Sequence, residues 1–309
     1  MRIAAIDCGT NTIHLIVADR TPEGTSILEH QVATPRLGRG LAQTGVIDSH
    51  AAEAALRALH AFHDRAVELG AERLVGVGTE ALRSARNAED LLECVWALGI
   101  PLRIITGEEE ARLSFIAACH AAGIETEVTL IDLGGGSTEV VIGSKGRPTD
   151  WASLPFGSTT LTDRFAESGD LVGDVRAAVG KAIATAPEPR GSVVLTGGTA
   201  NAVVGAVVAD ARRKASEQDL THPSGVVQCP ARAFLALVEA TIGRKEEELA
   251  ALPWVGPERA KVLRAGAIAL DVLVDRPTVK QVVVTPHGLC WGLILDTEFG
   301  PEAAGTGLV

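Results

Sequence analysis

The apolar positions of this chain follow two different periods, and the points where the period changes predict alternating strands and helices. Apolar runs at about residues 2–7, 12–19 and 25–34 are short and bounded by Gly, Asn or Pro, which is typical of buried strands. A helical period then runs from Ser49 to Leu69, with Asp48 as the N-cap and Gly70 just beyond the last turn. The apolar stripe of this helix consists of Leu56, Leu59, Phe62, Ala66 and Leu69.

The rest of the chain can be read in the same way. In the first half we expect strands at 72–77 and 102–105 and helices at 87–98 and 108–121. In the second half we expect strands at 127–132, 137–143, 149–154, 192–196 and 280–284. The helices expected there cover about 158–166, 171–185, 199–209, 230–251, 257–274 and 288–298. The polar segment 211–226 breaks the periodicity and predicts a loop.

Two segments of the chain resemble each other. AIDCGTNT at residues 5–12 and LIDLGGGS at residues 130–137 each join an apolar strand ending in Asp to a small-residue turn and a second strand. Asp7 then aligns with Asp132, and Gly9 with Gly134, at one constant offset. Each half also contains a later Gly-Thr turn that closes a β-rich run, at 78–79 and 198–199. A repeat this long indicates duplicated domains rather than a solenoid.

Hairpin strands followed by alternating helices and strands, twice over, predict an α/β protein of two ribonuclease-H-like domains. We place these domains at residues 1–122 and 123–309, with Gly123 as a hinge. The terminal helix of the second domain is expected to pack back on the first domain. The matched turns of the two halves are then expected to face one another across an interdomain cleft.

Composition narrows the classes of function. The 309 residues carry a net charge of −11, which argues against a nucleic-acid-binding protein, although a cleft can still be locally basic. The five cysteines are scattered and form no CxxC pair, as in a reducing compartment. No apolar run reaches the roughly 18 residues of a membrane span, and Asp7 interrupts the place where a signal peptide would have its apolar core. We therefore expect a cytoplasmic protein without a membrane partner.

Three glycine-rich turns are candidate phosphate sites. Without a Cβ, glycine lets neighbouring backbone N–H groups converge on an anion, and Ser or Thr adds a hydroxyl donor. Taken singly, each turn could equally be a tight hairpin, but three of them in a duplicated frame favour phosphate binding. The candidate phosphate-binding residues are Gly9, Thr10, Asn11, Gly134, Gly135, Gly136, Ser137, Gly197, Gly198 and Thr199.

Carboxylates accompany these turns. Asp7 and Asp132 end apolar strands, where a charge is costly unless it is paired, hydrogen-bonded or near a metal, although each could also cap its own turn. Glu139 lies two residues after Ser137, so strand alternation places both side chains on the same face. Acids in the first turn of a helix are favoured by the helix dipole, but three in succession at 108–110 spread around the helix axis. At least one of them is expected to point inward.

Five segments in order resemble the exopolyphosphatase/guanosine pentaphosphate phosphohydrolase family, a branch of the actin-like ATPase superfamily. They are IDCGTNTIHLIVA, GTEALRSA, IITGEEEARLSF, IDLGGGSTEVVIG and LTGGTA. The resemblance covers residues 1–210 well, and the length is similar to that of the short, two-domain members. It implies an actin-like ATPase fold and an exopolyphosphatase, a hydrolase of phosphoric anhydrides that removes the terminal phosphate of inorganic polyphosphate.

The resemblance also implies roles for individual residues and a metal. Glu110 matches the general base that activates water, assisted by Glu139, and Arg83 matches an arginine near the phosphate. Asp132 and Glu139 match acids near a magnesium ion, for which manganese can substitute. Asp7 joins them as a metal candidate because its symmetric placement favours a pair with Asp132, facing it across the cleft and holding magnesium or its waters. A homodimer is expected by analogy. One departure is Leu289-Cys290-Trp291-Gly292, where many members read L-R-E-G, so a charge pair is absent here.

Three rival functions remain open at this point. A pppGpp 5′-phosphohydrolase would use the same acids on a guanosine alarmone. A kinase or ATPase of the superfamily would need an adenosine pocket, and GEEEAR at 107–112 has no ready role in a sugar kinase. A catalytically weak sensor that binds polyphosphate or alarmones is disfavoured, because the chain retains Glu110, Asp132 and Glu139.

Overall fold

The computed structural model describes residues 1–214 and 225–296, which form eleven strands and twelve α-helices. The strands are β1 Arg2–Cys8, β2 Ile13–Thr21, β3 Gly24–Ala33, β4 Arg73–Gly78, β5 Leu102–Ile104, β6 Val128–Leu133, β7 Thr138–Ser144, β8 Arg147–Leu154, β9 Gly191–Thr196, β10 Val227–Pro230 and β11 Val279–Val284. The first helices are α1 Leu41–Thr44, α2 Ser49–Glu68, α3 Glu80–Ser84, α4 Ala88–Ala97, α5 Gly107–Ala122 and α6 Ser158–Arg164. The later ones are α7 Leu171–Ala182, α8 Gly198–Lys214, α9 Ala231–Ile242, α10 Glu246–Ala250, α11 Gly256–Val274 and α12 Leu289–Leu295.

The strands form two mixed sheets that repeat one topology. The first sheet has the order β3-β2-β1-β4-β5 and the second the order β10-β11-β9-β6-β7-β8. In the first, β1 runs antiparallel to β2 and parallel to β4; in the second, β6 runs antiparallel to β7 and parallel to β9. The predicted α/β class with two duplicated ribonuclease-H-like sheets is therefore confirmed.

Contacts divide the chain into two compact units. The first consists of Met1–Ser114 together with the described residues from Leu289 onward, and the second of Phe115–Gly288. Within the first unit, α12 packs on the sheet, where the Cys290 Sγ lies 3.7 Å from the Ala5 carbonyl oxygen. The predicted domain boundary between residues 122 and 123, and the predicted cleft between the domains, stay predictions.

Each unit has its own apolar core, and the local signals that start and stop the elements agree with it. The predicted N-cap Asp48 accepts hydrogen bonds from the backbone of His50 and Ala51 and so begins α2. Of the predicted stripe of helix α2, Leu59, Phe62 and Ala66 are buried in the first core, whereas Leu56 and Leu69 are only partly buried. In the second unit the almost wholly apolar face of α11 packs against strands and helices of the second core.

Three sequence-based expectations need correction. The helix expected at 230–251 is two helices, because the chain turns at Gly243 and restarts at Lys245 with a new first turn of glutamates. The loop expected at 211–226 begins too early, since α8 continues to Lys214; its residues 215–224 lie outside the described residues. The short helices α1 and α3 and the edge strand β10 were not expected, because segments of four or five residues carry too little periodicity.

Within residues 1–214 and 225–296, no helix combines the length and the apolar character needed to cross a bilayer.

Candidate active site

The turns after β1 and β6 are closed by the same backbone hydrogen bond. In the first, the Gly9 amide donates to the Thr12 carbonyl at 3.0 Å; in the second, the Gly134 amide donates to the Ser137 carbonyl at 3.1 Å. A Cβ at Gly9 would lie 3.0 Å from the Thr12 oxygen, and one at Gly134 would lie 3.2 Å from the Ser137 oxygen. The duplicated pattern in the sequence therefore corresponds to a duplicated backbone turn.

The first turn is braced from outside by the loop after β3. Thr10 and Asn11 are buried, and their carbonyl oxygens accept hydrogen bonds from the amides of Gly38 and Arg36 at 2.8 and 3.1 Å. The Asn11 Oδ1 atom is buried and has no hydrogen-bond partner among the described residues. A buried amide oxygen in this position needs a donor from water or from a ligand.

The triple-glycine turn is braced by the segment that leads into α6. The amides of Ser158 and Thr159 donate to the carbonyl oxygens of Gly134 and Gly135, each at 2.9 Å. Gly157 touches this turn directly: a Cβ there would overlap the Gly135 carbonyl and lie 2.6 Å from the Gly136 nitrogen. Because these contacts join backbone to backbone, the position of Gly135 and Gly136 depends on the absence of a side chain at Gly157.

Polar residues form a row across the second sheet. Asp132 on β6 is directly opposite Glu139 on β7, and Glu139 is directly opposite Ser153 on β8. Directly opposed residues place their side chains on the same face. Glu139 is 1% exposed, and its Oε1 accepts a hydrogen bond from the Ser153 hydroxyl at 2.8 Å. The structure thus brings Asp132 and Glu139 together.

The third glycine turn lies beside this row. Gly197 has φ 93°, a conformation that favours glycine, and a Cβ there would overlap the Leu133 carbonyl and lie 3.4 Å from Asp132 Oδ1. Gly198 begins α8, and the buried Thr199 Oγ1 has no hydrogen-bond partner among the described residues. Within the second unit, therefore, the third turn and Asp132 are neighbours.

Arg259 on α11 is a residue of this region that the sequence analysis missed. A Cβ at Gly198 would overlap its guanidinium group, so the cation lies directly over the first residue of α8. Burial lowers the pKa of Arg259, and none of the hydrogen bonds or ion pairs among the described residues uses its guanidinium. A desolvated cation at a helix N-terminus is an arrangement that suits a phosphate. In the sequence, Arg259 looks like an ordinary residue in the first turn of a helix.

The three glutamates at the start of α5 have different environments. Glu108 is exposed. Glu109 and Thr106 exchange hydrogen bonds in a capping box, and the Glu109 carboxylate also accepts from Arg103 at 2.8 Å. Burial raises the pKa of Glu109, but the hydrogen bonds from Arg103 and Thr106 outweigh it and hold that pKa below its usual value. Glu110 is the inward-pointing acid, with only 8% of its surface exposed.

Glu110 is held by Arg83. The Arg83 Nη1 donates to Glu110 Oε2 at 2.7 Å and to the Ile105 carbonyl at 2.9 Å. Burial lowers the pKa of Arg83, but the charges of Glu110 and Glu80 outweigh it and raise the pKa above its ordinary value. The guanidinium therefore stays charged. Arg83 is partly buried and is not the solvated helix residue that its position in the sequence would equally allow.

Asp7 lies on β1 of the first unit, opposite His14 on β2. The carbonyl of the next residue, Cys8, accepts a hydrogen bond at 3.2 Å from the amide of Thr79, which directly follows β4. Asp132 belongs to the second unit, so the predicted pairing of the two aspartates across a cleft stays a prediction.

The residues present fit a magnesium ion that retains water and substrate oxygens. Asp132 and Glu139 provide two hard oxygen donors on one face of the second sheet, the number that magnesium sites beside phosphates usually use. Among the described residues no three His, Cys, Asp or Glu side chains form a cluster that could hold a metal by themselves.

Proteins of known sequence and of solved structure resemble this chain along most of its length. The chain is 29% identical to exopolyphosphatase 1 of Mycobacterium tuberculosis over 316 aligned positions, covering 100% of this chain and 91% of the relative. An exopolyphosphatase structure from Cytophaga hutchinsonii superposes with a TM-score of 0.85 at 23% identity, covering 95% of this chain and 96% of that one. A PPX-GPPA enzyme structure from Aquifex aeolicus superposes with a TM-score of 0.75 at 27% identity, covering 95% and 98%.

The sequence profile of the Ppx/GppA phosphatase family covers nearly the whole chain. It matches residues 16–299, which include the second sheet, most of the first and all but the first of the glycine turns. With this coverage, and with the segments GTEALRSA, GEEEAR and IDLGGGSTE in their expected places, the chain belongs to the Ppx/GppA phosphatase family.

Proposed function

We propose that this protein is a magnesium-dependent exopolyphosphatase that hydrolyses the terminal phosphate of inorganic polyphosphate, with Glu110 as the general base. The observation that carries the proposal is the environment of Glu110. Its carboxylate is almost completely buried, and its Oε2 is held at 2.7 Å by the charged Arg83. A buried carboxylate beside a cation that can also bind phosphate suits proton abstraction better than a structural role.

The chemistry assigned to this pair is simple. When the terminal phosphate arrives, Arg83 would keep its Nη1 group on Glu110 and offer the remaining proton of Nη2 to a phosphate oxygen. Glu110 then accepts a proton from water as the water oxygen bonds to the terminal phosphorus and the bridging P–O bond breaks. The shortened chain leaves as an oxyanion, and the proton on Glu110 passes to solvent. In phosphoryl transfer such positioning and charge stabilisation supply most of the catalysis.

The glycine turns are assigned to binding. Backbone N–H groups of the turns at 134–137 and 197–199 would donate to phosphate oxygens, as would the buried hydroxyl of Thr199. Arg259 would add a forked cationic contact beside Gly198. A magnesium ion, with manganese as a substitute, would neutralise charge developing on the phosphates, and Asp132 and Glu139 are the residues of the second unit that would hold it.

Polyphosphate is preferred as the substrate because similar curated proteins from two mycobacteria, aligned over the whole of this chain, are named exopolyphosphatase 1. Family membership equally supports the pppGpp 5′-phosphohydrolase named above, and a sensor without turnover would bind the same anions. No nucleic-acid or membrane partner is proposed, and a homodimer in the cytoplasm remains the expected state.

Release of orthophosphate from polyphosphate is expected only with magnesium or manganese. Excess chelator should reduce the rate to that of the uncatalysed control, and added metal should restore it. The reason is that the carboxylates of Asp132 and Glu139 repel a polyanion unless a cation lies between them and the phosphates. The measurement is phosphate release from polyphosphate, pppGpp and ATP in parallel. Faster turnover of pppGpp would show that the alarmone, rather than polyphosphate, is the substrate. Full activity in excess chelator would show that the reaction needs no metal. Tight binding of polyphosphate without phosphate release would show that the protein is a sensor.

Gly198→Ala is expected to weaken polyphosphate binding by displacing Arg259. The added methyl would overlap the guanidinium, which is the far end of a flexible side chain and can move without disturbing the backbone. We expect KM to rise by about tenfold or more, the effect of losing one charge-assisted contact. Thermal stability should change little, because Gly198 lies in a helical turn that accepts alanine. An unchanged KM would show that Arg259 does not bind the phosphates of the substrate.

A further inference from the structure

The carboxylate of Glu80 approaches Arg83 from the side opposite to Glu110. Glu80 is the first residue of α3, and its Oε2 accepts from Arg83 Nε at 3.2 Å and from Nη2 at 3.1 Å. Its other oxygen accepts from the Ser84 hydroxyl. The Glu80 side chain is 27% exposed and Arg83 19%, so the contact is partly shielded from water. We infer that Glu80 is a positioning residue that fixes the plane of the Arg83 guanidinium, an inference that rests on the proposed hydrolysis.

The donor inventory of Arg83 supports this role. A guanidinium has five N–H groups in a rigid plane. Nε and one proton of Nη2 go to Glu80, and Nη1 uses its protons on Glu110 and the Ile105 carbonyl. The remaining Nη2 proton makes no hydrogen bond to another described residue. Glu80 therefore determines the direction in which the one available donor points, and that donor is the one a phosphate oxygen can take.

The carboxylates of Glu80 and Glu110 compete for the guanidinium of Arg83. Each draws the guanidinium towards itself, and with both present neither can turn the whole fork onto its own oxygens. Without Glu80, the plane of Arg83 could rotate so that Nη1 and Nη2 both bind Glu110, in the forked geometry that arginine and carboxylate prefer. A base paired in this way is a poorer proton acceptor. Glu80 thus keeps Arg83 shared, and so keeps Glu110 available for water.

An ordinary helix ion pair is the alternative explanation. Glu80 and Arg83 are three residues apart on α3, and such pairs stabilise helices by about 0.2–0.5 kcal/mol without any role in catalysis. The two explanations differ in what the loss of Glu80 changes. A helix pair affects only stability, whereas a positioning residue affects turnover and the order of the Arg83 side chain.

The test compares Glu80→Gln with Glu108→Gln. Both remove one negative charge from the first turn of a helix in the same unit, but Glu108 is exposed. For Glu80→Gln we expect kcat on polyphosphate to fall by about tenfold to a hundredfold, the range for a catalytic group displaced by about 1 Å. KM should stay level or fall, because the lost charge repelled the polyanion. Glu108→Gln should retain wild-type kcat, and both variants should melt within a few degrees of wild type.

A second readout does not depend on turnover. The Nε–H signal of Arg83, assigned by its loss in Arg83→Lys, should report a rigid side chain in the wild type by ¹⁵N relaxation and a mobile one in Glu80→Gln. An unchanged order parameter overturns the inference even if the enzyme is active. A normal kcat in an active Glu80→Gln enzyme overturns it too. If the wild type releases no phosphate from any substrate, the proposed function fails, and the relaxation result alone decides whether Glu80 positions Arg83.

Discussion

Glu110→Gln is expected to lower the turnover of polyphosphate by about 10²–10⁴-fold, the usual contribution of a general base. Glutamine has the size of glutamate, and its amide oxygen can still accept the hydrogen bond from Arg83 Nη1. It cannot accept a proton from water. Binding should be little changed or somewhat tighter, because the lost charge repels a polyanion. The measurement is kcat from phosphate release, with Kd for tripolyphosphate from calorimetry.

The neighbouring glutamates are matched controls for this variant. Glu108→Gln should change neither activity nor stability, since Glu108 is exposed. Glu109→Gln should leave turnover intact but lower the free energy of unfolding by about 1 kcal/mol, because it weakens the capping box with Thr106. If Glu110→Gln retained near-normal turnover while Glu109→Gln or Glu139→Gln abolished it, the base would be another carboxylate.

The stability difference for Glu109 also has a predicted pH dependence. The folded pKa of Glu109 lies below its usual value of 4.5, so its contribution to stability is fully present above that value. The contribution is lost as the pH falls through the folded pKa. Melting curves of the wild type and Glu109→Gln should therefore converge in acid and differ at neutral pH.

Gly157→Ala is expected to reduce turnover by about 10²-fold, the effect of moving a substrate-positioning group by about 1 Å. A methyl group at Gly157 would overlap the Gly135 carbonyl and crowd the Gly136 nitrogen, and neither backbone atom can rotate away. The triple-glycine turn would have to shift as a whole. Overpacking of this kind costs about 1–3 kcal/mol of stability, so the melting temperature should fall as well.

Gly180→Ala is the matched control for this substitution. Gly180 lies in α7 of the same unit, and a Cβ there would meet no atom within 4 Å. The same chemical change should therefore stabilise the protein by about 0.5–1 kcal/mol and leave turnover unchanged. Full activity of a folded Gly157→Ala enzyme would show that the position of the Gly135–Gly136 backbone does not limit catalysis.

Most of the fold was predictable from local pattern. The strands β1, β2, β6 and β7 have long apolar runs on either side of the two aspartate turns, and the Asp48 cap and Gly70 delimit α2 within a residue or two. The repeat of these signals along the chain indicated the duplicated topology. The sequence did not predict α1, α3 and β10, because these elements are too short to show a period. It also predicted one continuous helix across Gly243, because the segments on both sides of this glycine are helical.

The candidate site was predictable only where function uses residues adjacent in sequence. The glycine turns and the acids Asp132 and Glu139 follow from strand ends and strand alternation, which depend on neighbours along the chain. The three glutamates at 108–110 were indistinguishable by position. The structure distinguishes them by their contacts. Thr106 and Arg103 hold the carboxylate of Glu109, whereas Arg83, which is 27 residues earlier in the chain, binds Glu110.

The sequence by itself therefore determined the longer strands and helices, the duplication, the family and the position of the glycine turns. These features depend on interactions between residues close together in the chain, and such interactions leave a periodic or compositional trace. Only the tertiary structure decided that Glu110 is buried, that Glu80 and Glu110 share Arg83, that Gly157 supports the triple-glycine turn and that Arg259 covers Gly198. Those contacts join residues from separate elements, and their energies depend on distance and burial in three dimensions, which no local pattern encodes.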